Sequence, residues 1–293
     1  MKLSILGKDM NCPICSNEKK QNPYMTVNDY NAYECGSCHH IHVNDAKLTN
    51  FDYSELYSSG FYENYMSGLG YDNAYDKFLK NDFLKKIELI NSVLKKGASI
   101  LEVGSGPGFF AKLLSDAGYN VTAVELTPGA REYAEQTSHF TNIISENLSD
   151  PDCSLYDKKF DCVISWAVIE HVYEVNDFVA LLKRYTKKGG YICVDTGIRT
   201  KFISLVDRGY SSWLAPPHHL HVFSGKSITK LFHNNGLEIF YFKPHFNFST
   251  SKLKISIRYV KELIKAFLDI KDVINKNKPG KIAIIGLLIA KNN

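Results

Sequence analysis

ILEVGSGPGFF, residues Ile100 to Phe110, followed by the run VTAVE that ends on Glu125, decides the fold of this chain. Ile100 to Val103 is a short apolar strand, and Gly104, Gly106 and Gly108 form a turn that few other residues could adopt. Phe109 to Ala117 then has helical character, and Glu125 closes the next strand. A carboxylate at the C-terminal end of a strand can accept hydrogen bonds from both hydroxyls of a ribose. The glycine turn lets backbone approach whatever the ribose carries, so the pair of elements predicts an adenosine-type ligand.

The glycine spacing narrows the ligand. A dinucleotide turn has a third glycine where pyrophosphate meets the helix, in the order GxGxxG. Here the order is GxGxG, and Phe109 stands where that last glycine belongs. A bulky ring there argues against pyrophosphate, and Glu125 argues against a 2′-phosphate, because two anions would face each other at short range. S-adenosylmethionine fits better: it has a ribose, an adenine and a zwitterionic amino acid, and no phosphate.

From about residue 75 onward the chain resembles a class I S-adenosylmethionine-dependent methyltransferase. The matching segments are ILEVGSGPGFF, VTAVE, FDCVISWAVIEHV (Phe160 to Val172), KKGGYICV (Lys187 to Val194), HLHVFS (His219 to Ser224) and a closing IAIIGLLIAK. The resemblance implies a Rossmann-like α/β fold whose seven-stranded sheet has six parallel strands and one antiparallel. It also implies a donor site lined by Glu102, Gly104, Ser105, Gly106, Gly108, Phe109, Glu125 and Leu126. Past the third strand Glu146, Asn147 and Leu148 would meet adenine, and Ser165 and Trp166 end the fourth strand.

The second strong signal is cysteine spacing. Cys12 and Cys15 form CPIC, Cys35 and Cys38 form CGSC, and the interval between the pairs suits a four-thiolate zinc site. A closed tetrahedral site predicts structure rather than catalysis, supplying folding free energy to a module too small for a core of its own. His39, His40 and His42 follow directly; they can be spare ligands or solvated surface, and cysteine is the preferred fourth ligand. Cys153, Cys162 and Cys193 are scattered, which argues against a disulfide framework.

These anchors divide the 293 residues into a zinc-ribbon-like module over 1–48, a connector over 49–98 and a methyltransferase domain over 99–293. The connector is dense in aromatics: Phe51, Tyr53, Tyr57, Phe61, Tyr62, Tyr65, Tyr71 and Tyr75. Two roles stay open for them, covering the donor site or fastening the module to the domain. Phe78 to Leu94 predicts an amphipathic helix ending near Gly97. A basic helical insertion is expected over about 251–277, with nine Lys or Arg from Lys252 to Lys281 against Glu262, Asp269 and Asp272. Such a face could meet an anionic acceptor, a membrane surface or a second subunit in a homodimer.

Methyl transfer asks mainly for proximity and alignment, because the sulfonium already makes the methyl group electrophilic. A hydroxyl acceptor also needs a base, and a neutral imidazole can take its proton near neutrality. The resemblance points to PPHHLHVFS, where His219 matches an HLxxFS pattern on the acceptor side, then to His221, and to His171 of the EH pair.

The expected reaction is methylation of a small molecule, on oxygen, with a sugar or polysaccharide precursor or a specialised metabolite as acceptor. A sugar nucleotide or glycan would make that acceptor anionic. Sugar C-methylation and methylation of ribosomal or transfer RNA are the alternatives. Charge disfavours RNA: residues 1 to 50 carry five lysines (2, 8, 19, 20, 47) and five acids (9, 18, 29, 34, 45). A grip on nucleic acid needs an excess of phosphate-neutralising cations. The longest apolar run, Ile282 to Ala290, is too short for a bilayer, and MKLSILGKDMN lacks the apolar core of a secretory signal, so a cytoplasmic location is expected.

Overall fold

In the computed structural model the described residues are 11–16, 22–48, 73–137, 140–199, 213–247 and 283–293. Residues 49–72 of the connector, with its aromatics from Phe51 to Tyr71, and the whole basic insertion expected over 251–277 lie outside them.

The parallel centre of the sheet follows from near-continuous apolar runs. β4 (Ser99–Val103), β5 (Asn120–Val124), β6 (Ile143–Ile144), β7 (Phe160–Trp166) and β8 (Thr186–Arg199) pair in parallel in the order β6-β5-β4-β7-β8. Strands covered on both faces have no solvent side to leave polar, and Cys162, Val163 and Ile164 of β7 are all fully buried. β11 (Ala283–Lys291) runs antiparallel beside β8 and β10 (Glu238–Asn247) antiparallel beside β11. β10 is therefore parallel to the centre, which gives the six parallel strands and one antiparallel strand expected.

Helices cover both faces of this sheet. α1 (Asn73–Val93) precedes β4 and begins ahead of Phe78, while α2 (Phe109–Asp116) starts at the residue expected. α3 (Pro128–Thr137) follows β5. α4 (Val175–Tyr185) buries Val175, Phe178, Val179, Leu182 and Tyr185, a stripe at helical spacing that packs with β7 and β8. α5 (Gly225–Asn234) opens on a reciprocal cap between Ser224 and Ser227 and buries Ile228, Leu231 and Phe232.

The N-terminal residues form a ribbon of β1 (Asn22–Val27), β2 (Tyr30–Glu34) and β3 (Ile41–Val43), followed by a single 3-10 turn at Ala46–Leu48. This ribbon is continuous with the main sheet, a connection with no local signature in the sequence. β9 (His221–Ser224) pairs in parallel with the far end of β8 at Ile198 and Arg199, and antiparallel with β3 at Ile41 and His42. Side-chain contacts reinforce the join: Ser224 Oγ donates to the Cys38 carbonyl at 2.6 Å and Asn234 Nδ2 to that of Ile14 at 2.7 Å. The Arg199 guanidinium lies 2.7 Å from the Glu34 carboxylate. Among the described residues no helix is long and apolar enough to cross a membrane.

Candidate functional site

The C-terminal ends of β4 and β5 build the first half of the site. Gly104, Gly106 and Gly108 have φ of +72°, +52° and +72°, the left-handed region that side chains rarely adopt. At Gly104 space is closed as well, since a Cβ there would lie 2.5 Å from Val168 Cγ2. The turn is tied to the next strand: Gly104 and Ser105 N–H donate to the Val124 carbonyl at 2.8 and 3.2 Å. Glu125 clasps it from beyond β5, its Oε2 accepting from Gly106 N–H and its Oε1 from Thr127 N–H, both at 2.8 Å. Each carboxylate oxygen keeps a lone pair for a further donor. Leu126 beside it is 58 % exposed, an apolar surface next to a polar cradle.

Two buried acids lie beneath this turn. Glu102 is 2 % exposed, and its Oε2 has no hydrogen-bond partner among the described residues. Burial raises its pKa to about 8, against the Lys86 ammonium, with the Glu125 charge adding to the rise. Lys86 of α1 reaches Asp195 of β8 at 2.6 Å and Asp82 at 2.9 Å, and sits 4.8 Å from the centre of the Trp166 ring. Burial would lower Lys86, yet the two carboxylates hold it above its ordinary value. Asp195 Oδ1 also accepts from the N–H of Ala167, a residue at φ +51°, so this ion pair shapes the turn after β7. Neither Lys86 nor Asp195 stood out in the sequence, where Lys86 is one of two adjacent lysines in a helix.

The remaining donor-side residues are placed as follows. Ser165 is fully buried and its Oγ donates to the Val103 carbonyl, locking β7 to β4. Trp166 meets Phe110 edge-on at 5.6 Å, and Phe109 meets Tyr133 edge-on at 6.4 Å. Past β6, Glu146 accepts from Ser154 N–H and Asn147 Oδ1 from Ser149 N–H, so both shape their own loop. Leu148 turns into the core, 4 % exposed, and its carbonyl accepts from Tyr185.

Across the turn that follows β7 stands a group of imidazoles. His171 Nδ1 lies 3.0 Å from the His218 carbonyl and His219 Nδ1 2.7 Å from that of Trp213. Carbonyls only accept, so both Nδ1 atoms carry the proton in the neutral rings and Nε2 holds the lone pair. The rings meet edge to face at 4.6 Å, and His219 stacks on Trp213 at 4.9 Å. Burial depresses both pKa values, that of His171 to about 3, where the neighbouring His219 adds to the effect. Trp213 in turn lies flat on Gly197 of β8, so close that a Cβ there would be 2.5 Å from the indole.

Glu170 is fully buried, with Oε2 accepting from Thr196 Oγ1 at 2.9 Å and Oε1 unpartnered among the described residues. Burial raises its pKa to about 8. Glu170, His171 and His219 each bring one metal-ligand type of atom within 4.8 Å of the others.

His221, named with His219 for the acceptor side, is placed differently. It lies in β9, 2 % exposed, with Nδ1 3.1 Å from His40 Nε2 and the two rings stacked at 5.2 Å. A strand paired on both edges between β3 and β8 gives it no open side, so it is a core imidazole at the join of ribbon and sheet. His40 and His42, expected as surface or spare ligands, are 0 % and 3 % exposed and belong to the same stack.

The four cysteines converge, with Cys12 and Cys38 Sγ at 3.6 Å, Cys15 and Cys35 Sγ at 3.4 Å, and all four sulfurs within 4.8 Å of one another. Thiolates about 2.3 Å from one tetrahedral zinc ion lie roughly 3.8 Å apart, so the donor set fits that ion. Each pair sits on a tight knuckle: Ser16 N–H returns to the Cys12 carbonyl and His39 N–H to that of Cys35.

Residues 75–241 match the model of a methyltransferase domain family. An O-methyltransferase of ubiquinone biosynthesis from Rickettsia conorii is 35 % identical over 106 residues, covering 35 % of this chain and 36 % of that protein. Its counterpart from Rickettsia typhi is 33 % identical over 122 residues, or 40 % and 48 % of the two chains. The chain thus spans less than half the length of these curated relatives. Among solved structures, magnesium protoporphyrin IX methyltransferase from Synechocystis PCC 6803 with bound SAH aligns over 82 % of this chain and 98 % of its own, at TM-score 0.53 and 14 % identity. A SAM-dependent methyltransferase from Methanosarcina mazei aligns over 70 % and 96 %, at TM-score 0.50 and 18 % identity.

Proposed function

Because the chain belongs to the methyltransferase domain family, we propose that it takes S-adenosylmethionine as donor and methylates a hydroxyl oxygen of a small, ring-bearing acceptor, with His219 as the proton acceptor. One observation carries this reading: the glycine turn, through Gly104 against Val168, and the His219 ring, through its contact with His171, border the same turn after β7. When bound, the donor supplies an electrophilic methyl group. The chain's own residues then have three tasks.

Glu125, with Leu126 beside it, holds the ribose and adenine end, and the unpartnered Oε2 of Glu102 receives an ammonium donor of the amino-acid end. Gly104, Ser105, Gly106, Gly108, Phe109 and Trp166 border the donor in this reading, Ser165 holds β7 against β4 behind them, and Glu146 and Asn147 stand at the adenine rim. His219 takes the acceptor's proton at Nε2, while Nδ1 stays bonded to the Trp213 carbonyl, which holds the ring in one tautomer. Depression of its pKa by burial keeps the ring neutral, and so able to accept, below the usual imidazole range. His171 braces it edge-on.

The ubiquinone-biosynthesis relatives favour a hydroxylated ring as acceptor over the sugar or polysaccharide precursor expected from sequence. Cys12, Cys15, Cys35 and Cys38 hold a structural zinc ion in this reading. Residues 1–48 are then the zinc module and 99–293 the catalytic domain.

The test has three parts. Calorimetry should give saturable S-adenosylhomocysteine binding, and elemental analysis about one zinc per chain that is lost in Cys35→Ser. Transfer of labelled methyl groups should favour catechols and phenols over sugar nucleotides and an RNA transcript. Full turnover in His219→Gln would remove His219 from the chemistry, and transfer to RNA in preference to the phenols would replace the acceptor class.

A further inference from the structure

We propose that the cysteine-bearing N-terminal ribbon is a positioning element of the acceptor side, in which Asn28 at the β1–β2 turn holds the loop that carries His219. The inference rests on the assignment of that loop to the acceptor.

Asn28 and Asp29 have φ of +49° and +63°, two successive left-handed residues of the kind that link the strands of a tight hairpin. Asparagine tolerates that conformation and leaves its amide free to reach outward. Here the amide reaches across 188 residues of sequence and donates from Nδ2 to the Pro216 carbonyl at 2.8 Å. Three residues further on stands His219.

The same loop is gripped by the ribbon along its whole inner side. Val43 N–H donates to the Leu220 carbonyl at 2.9 Å, just ahead of the β3–β9 pairing. Leu214, Leu220 and Val222 are buried together with Ala32, Ile41, Val43 and Leu48, and Trp213 packs against the cluster. From the opposite side the Glu170 carbonyl accepts from Leu220 N–H at 2.8 Å. His219 therefore stands on a loop clamped between the ribbon and the β7 turn. The ribbon can act as a fixed jaw because it is itself tied down elsewhere, through Lys226 Nζ to the Ser37 carbonyl and through the Ser224 and Asn234 bonds already described.

Two variants separate positioning from general support. Asn28→Gly keeps the left-handed turn and deletes the amide; Asn28→Asp keeps the shape and sets a carboxylate against the Pro216 oxygen. In both, amide hydrogen exchange at His218, His219 and Leu220 should accelerate by about 3- to 10-fold, the range expected for one lost hydrogen bond. The downfield Nδ1–H resonance of His219 should shift or broaden. Urea stability should fall by no more than that one bond, and S-adenosylhomocysteine affinity should stay at the wild-type value, since the donor half does not touch this turn.

Unchanged loop exchange and an unchanged His219 resonance in both variants would overturn the proposal. A fall in S-adenosylhomocysteine affinity alongside the loop change would also overturn it, by making the bond a support of both halves. The acceptor assignment fails separately: His219→Gln retaining full turnover removes it whatever the exchange shows.

Discussion

Gly197→Ala is the substitution whose effect follows most directly from the geometry. Gly197 has no need of a left-handed backbone, so alanine brings no torsional strain; the difficulty is space. Its Cβ would lie 2.5 Å from Trp213 Cδ2 and Cε2 and 2.6 Å from Cδ1, and ordinary contact begins at 3.4 Å. Five-membered and fused rings cannot bend, so the whole indole must retreat by about 1 Å, at a cost of roughly 1–3 kcal/mol for overpacking. Trp213 cannot move alone. Its carbonyl holds His219 Nδ1 at 2.7 Å and its ring stacks on the imidazole. A misplacement of that size at a reacting group costs on the order of 10²-fold in kcat. The assay is turnover of a catechol acceptor beside urea unfolding and calorimetry with S-adenosylhomocysteine. The expected pattern is a large fall in kcat, a modest fall in stability and unchanged ligand affinity. Wild-type kcat in a variant that carries the stability loss would show that the indole moved without taking His219 along, and would refute the linkage between them.

Three further outcomes are expected. His219→Gln should lower kcat by about 10²- to 10⁴-fold while S-adenosylhomocysteine affinity holds, as for loss of a general base alone; equal losses in both would place the residue on the donor side. Glu125→Gln should weaken S-adenosylmethionine binding by about 10- to 100-fold in calorimetry, because an ionised acceptor of the ribose hydroxyls and of Gly106 N–H becomes a neutral one. Stability should fall on acidification. Burial holds His42 near pKa 3 and His221 near 4, against an unfolded value of 6.5. Below pH 6.5 the unfolded chain binds the protons that the native one refuses, so stability is complete above the unfolded pKa and is lost as pH falls, by up to about 1.4 kcal/mol per pH unit per histidine. Glu102 and Glu170, raised to about 8 by burial, act in the opposite sense between pH 4.5 and 8. Urea midpoints should therefore change little between pH 7.5 and 5.5, where the two opposing pairs offset, and drop below pH 4.5, where only the histidines still act; a steep fall already between pH 7.5 and 5.5 would mean that the two acids are open to water.

The glycine turn and its Glu125 clasp were legible in the sequence because their determinants are local. The Gly104 to Gly108 turn needs positive φ at three positions, and only a glycine-rich string supplies that; Glu125 follows one helix and one strand later. Cysteine spacing was legible for the same reason, as each CxxC knuckle is a closed four-residue loop. The acceptor half was partly opaque. His219 and His221 lie two apart, a spacing that alone would place both on one face of an extended segment. The strand begins only at His221, and because β9 is hemmed in by β3 and β8, His221 is enclosed while His219 stays on the loop. Nothing near either histidine announces that pairing, since β3 lies some 180 residues earlier in the chain. Lys86 and Asp195, 109 residues apart, were invisible for the same reason.

With a zinc ion held by the four cysteines as proposed, the continuity of ribbon and sheet would extend its effect beyond the module. A zinc module that folded alone and hung from a linker would add stability to itself and nothing to catalysis. In this chain the cysteines set the knuckle that precedes β3, β3 pairs β9, and β9 begins two residues after His219. Loss of the thiolate cluster would free the edge against which β9 is registered, while Gly104 to Gly108 and Glu125, which among the described residues bond within the turn and to β5, β6, α2, Thr127 and α3, none of them in the ribbon, would keep their places. Cofactor binding and acceptor alignment are therefore separable in this fold. On the proposed assignment of the His219 loop, the distant N-terminal cysteines act energetically on the acceptor half.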